Sequence, residues 1–195
     1  MNLSRNFSLS ELIKSDTAIR HGIDNNPNAD QIEKLKLLCE NILQPVRDHF
    51  GRVTVTSCFR SPELCVKINS SIDSQHTRAE ACDFEVMGTS NAEVFDWIKA
   101  NLDWDQMILE FYTPGEPNSG WVHCSWVSEN PRKQLLRAYR EDGKTRYKPI
   151  IGNAVDLDKI QAFSSSPITS DAILIFLRRD FCIFSSTVSS VIISI

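Results

Sequence analysis

Two of the four histidines, His76 and His123, lie against strand-like segments with polar neighbours, and Asp83 follows His76 on what reads as the next strand. The other two, His21 in a turn-rich region and His49 near a helix end, have ordinary surface settings. A histidine leading into a loop, an aspartate on a strand and a histidine from a later hairpin can meet at one metal ion. Two neutral imidazoles and one carboxylate would leave a divalent ion a net positive charge and an open position, the donor set of a catalytic zinc site. Such an ion makes water acidic and polarises a carbonyl, so the chemistry would be hydrolysis. The same spacing also suits a satisfied core histidine beside a salt-bridged or helix-capping aspartate, and residue types alone leave both readings open.

The elements that must position these side chains follow from periodicity. The segment FSLSELIK opens with a serine able to cap and Glu11 in the first turn, a short helix start. From Gln31 to Phe50 apolar residues recur at steps of three and four (Ile32, Leu35, Leu38, Cys39, Ile42, Leu43, Val46), which predicts an amphipathic helix bent or split at Pro45. RVTVTSCF alternates and reads as a strand ending at the Arg60-Ser61-Pro62 turn, and Ser61 with Pro62 opens a short helix. ACDFEVMG alternates too, with Asp83 facing away from Cys82, Phe84 and Val86. A helix follows through Val94, Trp97 and Ile98, then strands at DQMILEFY and GWVHCSW joined by TPGEPNS. The order predicts an α+β fold, a small, mostly antiparallel sheet with helices packed to one side and the metal site in a cleft on the sheet.

Composition bounds the function classes. The 195 residues allow one good core, assigned to residues 1–150, with 151–195 as a C-terminal extension. Apolar runs in that extension, AILIFL and FCIF, are broken by charges and stay far below the roughly 18 residues of a membrane span, so none is expected. A net charge of -4 with interspersed signs gives no basic stripe for a phosphate backbone, so nucleic acid is not an expected partner. No glycine-rich phosphate loop and no G-x-S-x-G elbow occur. The six cysteines (Cys39, Cys58, Cys65, Cys82, Cys124, Cys182) form no C-x-x-C pair and fall largely within apolar patterns, which favours reduced thiols. Cys124 should face away from His123, a poor setting for a nucleophile. MNLSRNFSLSELIK lacks the pattern of a secretory signal, so cytoplasmic synthesis is expected, with any action outside the membrane following release or delivery.

SQHTRAEACDF, from Ser74 to Phe84, resembles the S-x-H-x-x-G-x-A-x-D pattern of the zinc D-Ala-D-Ala carboxypeptidases, peptidase family M15, whose relatives include bacteriophage endolysins. VTSCFRSPEL resembles that family's strand and arginine turn, and WVHCS its second histidine strand. The likeness extends from about Phe7 to Trp126. It implies one Zn2+ held by His76, Asp83 and His123, and hydrolysis of peptide bonds in peptidoglycan stem peptides, by carboxypeptidase or endopeptidase action. The alternative it leaves is a weakly active or inactive zinc-binding module for wall recognition or virion structure.

The resemblance also assigns Arg60 to the developing oxyanion or to a substrate carboxylate, and Ser74 to the bound peptide or to orienting its loop. Two positions depart from the family pattern. Ala79 stands where a glycine is expected, a change that is costly if the backbone there needs positive φ. Gly120 stands three residues before His123, where many members carry the catalytic acid. Another carboxylate must then serve as general base, and Glu110, solitary after Met107, Ile108 and Leu109, is the first choice ahead of Glu116. Trp121 shares a face with His123 in a period-two pattern, so it reads either as a cleft wall against substrate or as core packing.

Overall fold

The computed structural model describes residues 1–159, and one compact unit spans Met1–Asp158. Most of the extension expected over 151–195, together with Cys182, lies outside the described residues.

Short helices begin where side chains can satisfy orphan backbone donors. Ser8 accepts from Glu11 to open α1 (Leu9–Leu12), and Ser15 accepts from Ala18 to open α2 (Asp16–His21). Asn28 and Gln31 form a reciprocal capping box at the start of α3 (Ala29–Leu38). The helical path continues through a π-turn (Cys39–Leu43) into α4 (Gln44–Phe50). The wider turn lies immediately before Pro45, so the helix absorbs a residue that lacks an N–H without breaking. Leu35, Leu38, Cys39, Ile42, Leu43 and Val46 are all fully buried along its inner face, as their spacing predicts.

The sheet has six strands: β1 (Val53–Ser57), β2 (Ala81–Val86), β3 (Gln106–Glu110), β4 (Trp121–Ser125), β5 (Gln134–Glu141) and β6 (Lys144–Pro149). Their order is β1-β2-β4-β3-β5-β6, and every pairing is antiparallel except β3 with β5. Two more helices, α5 (Pro62–Lys67) and α6 (Asn91–Asn101), follow β1 and β2. This is the α+β, mostly antiparallel fold that periodicity predicts, with one addition. The β5–β6 hairpin is not foreseen by the sequence reading, although Asp142-Gly143, both at positive φ, is a strong two-residue hairpin turn.

Strand alternation divides the sheet into two chemically different faces. Cys82, Phe84, Met107, Leu109, Val122 and Cys124 are fully buried in the hydrophobic core that the helices complete. The opposite face carries Asp83, Ile108, Glu110, Trp121 and His123 along one cleft of about 760 Å³. The five cysteines among the described residues are free and buried. Beyond β6 the chain packs back onto α6. Asp96 accepts from the backbone of Ala154 and Val155, and Asp158 accepts from the Tyr112 hydroxyl.

Candidate metal centre

Pairing β2 with β4 sets Asp83 directly opposite His123, so two polar side chains emerge side by side from the sheet centre. His76 arrives from the loop between α5 and β2. Its Nδ1 lies 2.6 Å from the Cys58 carbonyl, which can only accept, so Nδ1 carries the proton and Nε2 presents a lone pair. That Nε2 lies 3.3 Å from His123 Nδ1 and 3.3 Å from Asp83 Oδ1, and His123 Nδ1 lies 2.8 Å from the same carboxylate oxygen. All three residues are buried.

Three donor atoms converging out of water need a proton or a cation between them. Atoms bound to one tetrahedral zinc at about 2.0–2.1 Å lie roughly 3.3 Å from one another, close to the spacing seen. The group therefore fits a metal ion both in donor chemistry and in separation. Its electrostatics agree. Burial lowers the His76 pKa against the pull of Asp83, which favours the neutral imidazole that a metal requires. Burial alone would raise Asp83, but interactions with the two imidazoles outweigh it and hold the carboxyl well below the usual range.

Arg60 donates from Nη2 to Asp83 Oδ2 at 2.5 Å and from Nε to Ser57 Oγ at 2.8 Å, so it fixes the carboxylate whose other oxygen faces the histidines. Ser74 accepts from the backbone N–H of His76 at 3.3 Å and lines the cleft. Glu110 lines the cleft and pairs across the ladder with Trp121, while His123 pairs with Ile108 two residues away. Burial, reinforced by the Asp83 charge, raises its pKa to about 7. Trp121 packs edge-on against Phe111 at 5.3 Å, and its buried indole N–H interacts with the Glu110 carboxylate, opposing the rise in its pKa, without reaching full hydrogen-bond geometry. Glu116 is exposed in the loop between β3 and β4 and does not line the cleft.

Backbone geometry accounts for Gly120 and shows that Ala79 carries strain. Gly120 has φ +65, and a Cβ there would stand 1.9 Å from the Glu110 carbonyl oxygen, so no side chain fits. Ala79 has φ 60, so the methyl replacing the expected glycine sits in the left-handed region.

Two supports escaped the sequence reading. Asp105 is buried and accepts from Gln75, Ser125 and the Arg132 guanidinium, which ties the residue beside His76 to strand β4. Asn25 accepts from Ser61 N–H and donates to the carbonyls of Ile13 and Phe59, bracketing Arg60. Sequence offered little signal for either, because each network joins residues far apart in the chain.

The sheet thus carries a buried His/Asp/His group that could hold a metal ion. The chain belongs to the Peptidase M15 family, whose sequence profile matches residues 5–125, more than half its length. No curated protein matches the chain at a significant level. Among the described residues no helix is long and apolar enough to cross a membrane.

Proposed function

We propose that the protein is a zinc-dependent peptidase that cleaves peptide bonds in peptidoglycan stem peptides, with His76, Asp83 and His123 holding the ion. The observation that carries this reading is the convergence of His76 Nε2, Asp83 Oδ1 and His123 Nδ1 within a buried cleft that also contains a carboxylate able to accept a proton. A zinc ion bound there would acidify water and polarise the scissile carbonyl. Glu110 acts as general base, taking the proton of the attacking water and passing it to the leaving amine. Its carboxyl faces the cleft that holds the three ligands, and its position on a strand rather than in a loop limits its motion.

Arg60 holds Asp83 in orientation and adds positive charge beside the developing oxyanion. Trp121 walls the cleft beside Glu110, and its indole N–H favours the ionised form of that carboxylate. The missing acid at position 120 is the feature that would favour an inactive module, but Glu110 supplies a carboxylate on the same face. The D-alanyl stem peptide as substrate rests on the resemblance of SQHTRAEACDF and WVHCS to the D-Ala-D-Ala carboxypeptidases.

The test is release of free D-alanine and of new amines from purified peptidoglycan by the zinc-loaded protein, beside a chelated sample. Turnover that vanishes on chelation and returns with zinc is the expected outcome, and the product separates carboxypeptidase from endopeptidase action. Stoichiometric zinc with no hydrolysis of wall peptides would overturn the reading.

A further inference from the structure

Four arginines line the cleft: Arg60, Arg78, Arg132 and Arg140. Three already face carboxylates of the protein, namely Asp83, Glu80 and Asp105. Arg140, on β5, has no carboxylate partner among the described residues. Its guanidinium instead lies over the Phe111 ring, 4.8 Å from the centroid, and Nη1 donates to Thr145 Oγ1 at 2.8 Å. Phe111 is braced in turn by Trp121. One hydrogen bond and one ring contact hold the fork in place while leaving most of its five N–H donors unspent.

Register locates this fork relative to the chemistry. Glu110, Ala138 and Tyr147 form one row across β3, β5 and β6, and Arg140 pairs with Thr145 in the next row on the same face. At about 3.3 Å per residue, that row lies roughly 7 Å beyond Glu110, the length of two residues of extended peptide. A guanidinium fork with free donors matches a carboxylate in charge and in planar geometry.

We propose that Arg140 binds a carboxylate of the peptide substrate lying within about two residues of the scissile bond, so that the β5–β6 hairpin is the specificity-determining wall of the cleft. The inference rests on the peptidase reading above. It assigns to Arg140 the carboxylate-holding role that sequence resemblance offers to Arg60, whose fork is occupied by Asp83 and Ser57. The hairpin also falls outside residues 5–125, which the family profile matches.

The experiment is calorimetric titration of the zinc-loaded full-length chain with a non-hydrolysable reduced-amide isostere of an acetylated D-alanyl-D-alanine peptide, as free acid and as C-terminal amide. The wild type should prefer the acid by about 10- to 100-fold, the worth of a charge-assisted pair. In Arg140→Gln the acid-to-amide ratio should fall close to one, and Arg140→Lys, which keeps the charge but not the fork, should fall between. A ratio that persists in Arg140→Gln, or that collapses in Arg60→Gln alone, overturns the assignment. Failure of the wild type to bind either form would overturn the peptide reading and this inference with it, whereas failure of the assignment alone leaves acid binding intact.

Discussion

Strands β2 and β4 carry two kinds of buried residue on their two faces, and the contrast separates what burial does for the fold from what it does for the site. Phe84 and Val122 have no exposed surface and pack against the helices, a gain proportional to apolar area removed from water. Asp83 and His123, next to them in sequence, are nearly as buried, yet their polar atoms converge on one another and on His76. A fold selected only for stability has little use for that arrangement, because buried charge generally costs more than apolar packing of equal volume. In the proposed reading one strand pair serves both stability and chemistry, kept apart by a period of two.

The strongest way to break this comparison is to mutate adjacent residues on opposite faces. Asp83→Ala should lower zinc affinity by at least about 100-fold and abolish hydrolysis, because it removes a ligand outright. Phe84→Ala should instead cost about 3–5 kcal/mol of stability while the folded fraction still binds zinc. Denaturant titration beside metal titration checks both, and exchanged phenotypes would refute the division of labour.

Glu110→Gln should reduce kcat by about 100- to 10,000-fold while zinc stays bound, measured as turnover against metal content. The same substitution sharpens the electrostatic picture. In the metal-free protein burial raises Glu110 to about 7, so the fold favours its protonated form. Stability from this group is fully present below about pH 4.5 and is lost as pH rises through about 7, a decrease on the order of 3 kcal/mol. Chemical denaturation of the metal-free proteins between pH 4 and 8 should show that fall as the difference between wild type and Glu110→Gln, because His76, buried and neutral, gives both profiles an opposite slope. Superimposable profiles would assign the titration to another group.

Smaller effects probe the supports. Asp105→Asn removes the charge that binds Arg132, an ion pair whose arginine is half exposed, so the loss should be about 1–3 kcal/mol. Zinc affinity should fall with it, since Gln75 would no longer brace the His76 loop; unchanged affinity would show that the network supports only the fold. Ala79→Gly should change stability least. Relief of left-handed strain, about 1–2 kcal/mol, is opposed by a lost buried methyl and a more flexible unfolded chain, so thermal unfolding should move by less than about 1 kcal/mol.

The parts legible in the sequence are those governed by local period. Alternation in ACDFEV and WVHCS assigned Asp83 and His123 to the face opposite Cys82 and Cys124, and three-four spacing identified the buried stripe from Leu35 to Val46. The hairpin over 134–149 was less legible because its arginines and lysines obscure any apolar face, leaving Asp142-Gly143 as the main signal. Asn25, Asp105 and Arg132 were hidden for another reason: their partners are chosen by tertiary packing. The absence of an acid at position 120 was visible from the start, but its cause, the Glu110 carbonyl lying where a Cβ would be, belongs to the backbone alone.

Metal content of the purified chain and of His123→Ala, read together with far-ultraviolet circular dichroism, tests the central claim most directly. The account predicts one zinc per wild-type chain and none in a variant that keeps its secondary structure. Equal, stoichiometric zinc in both proteins would contradict it.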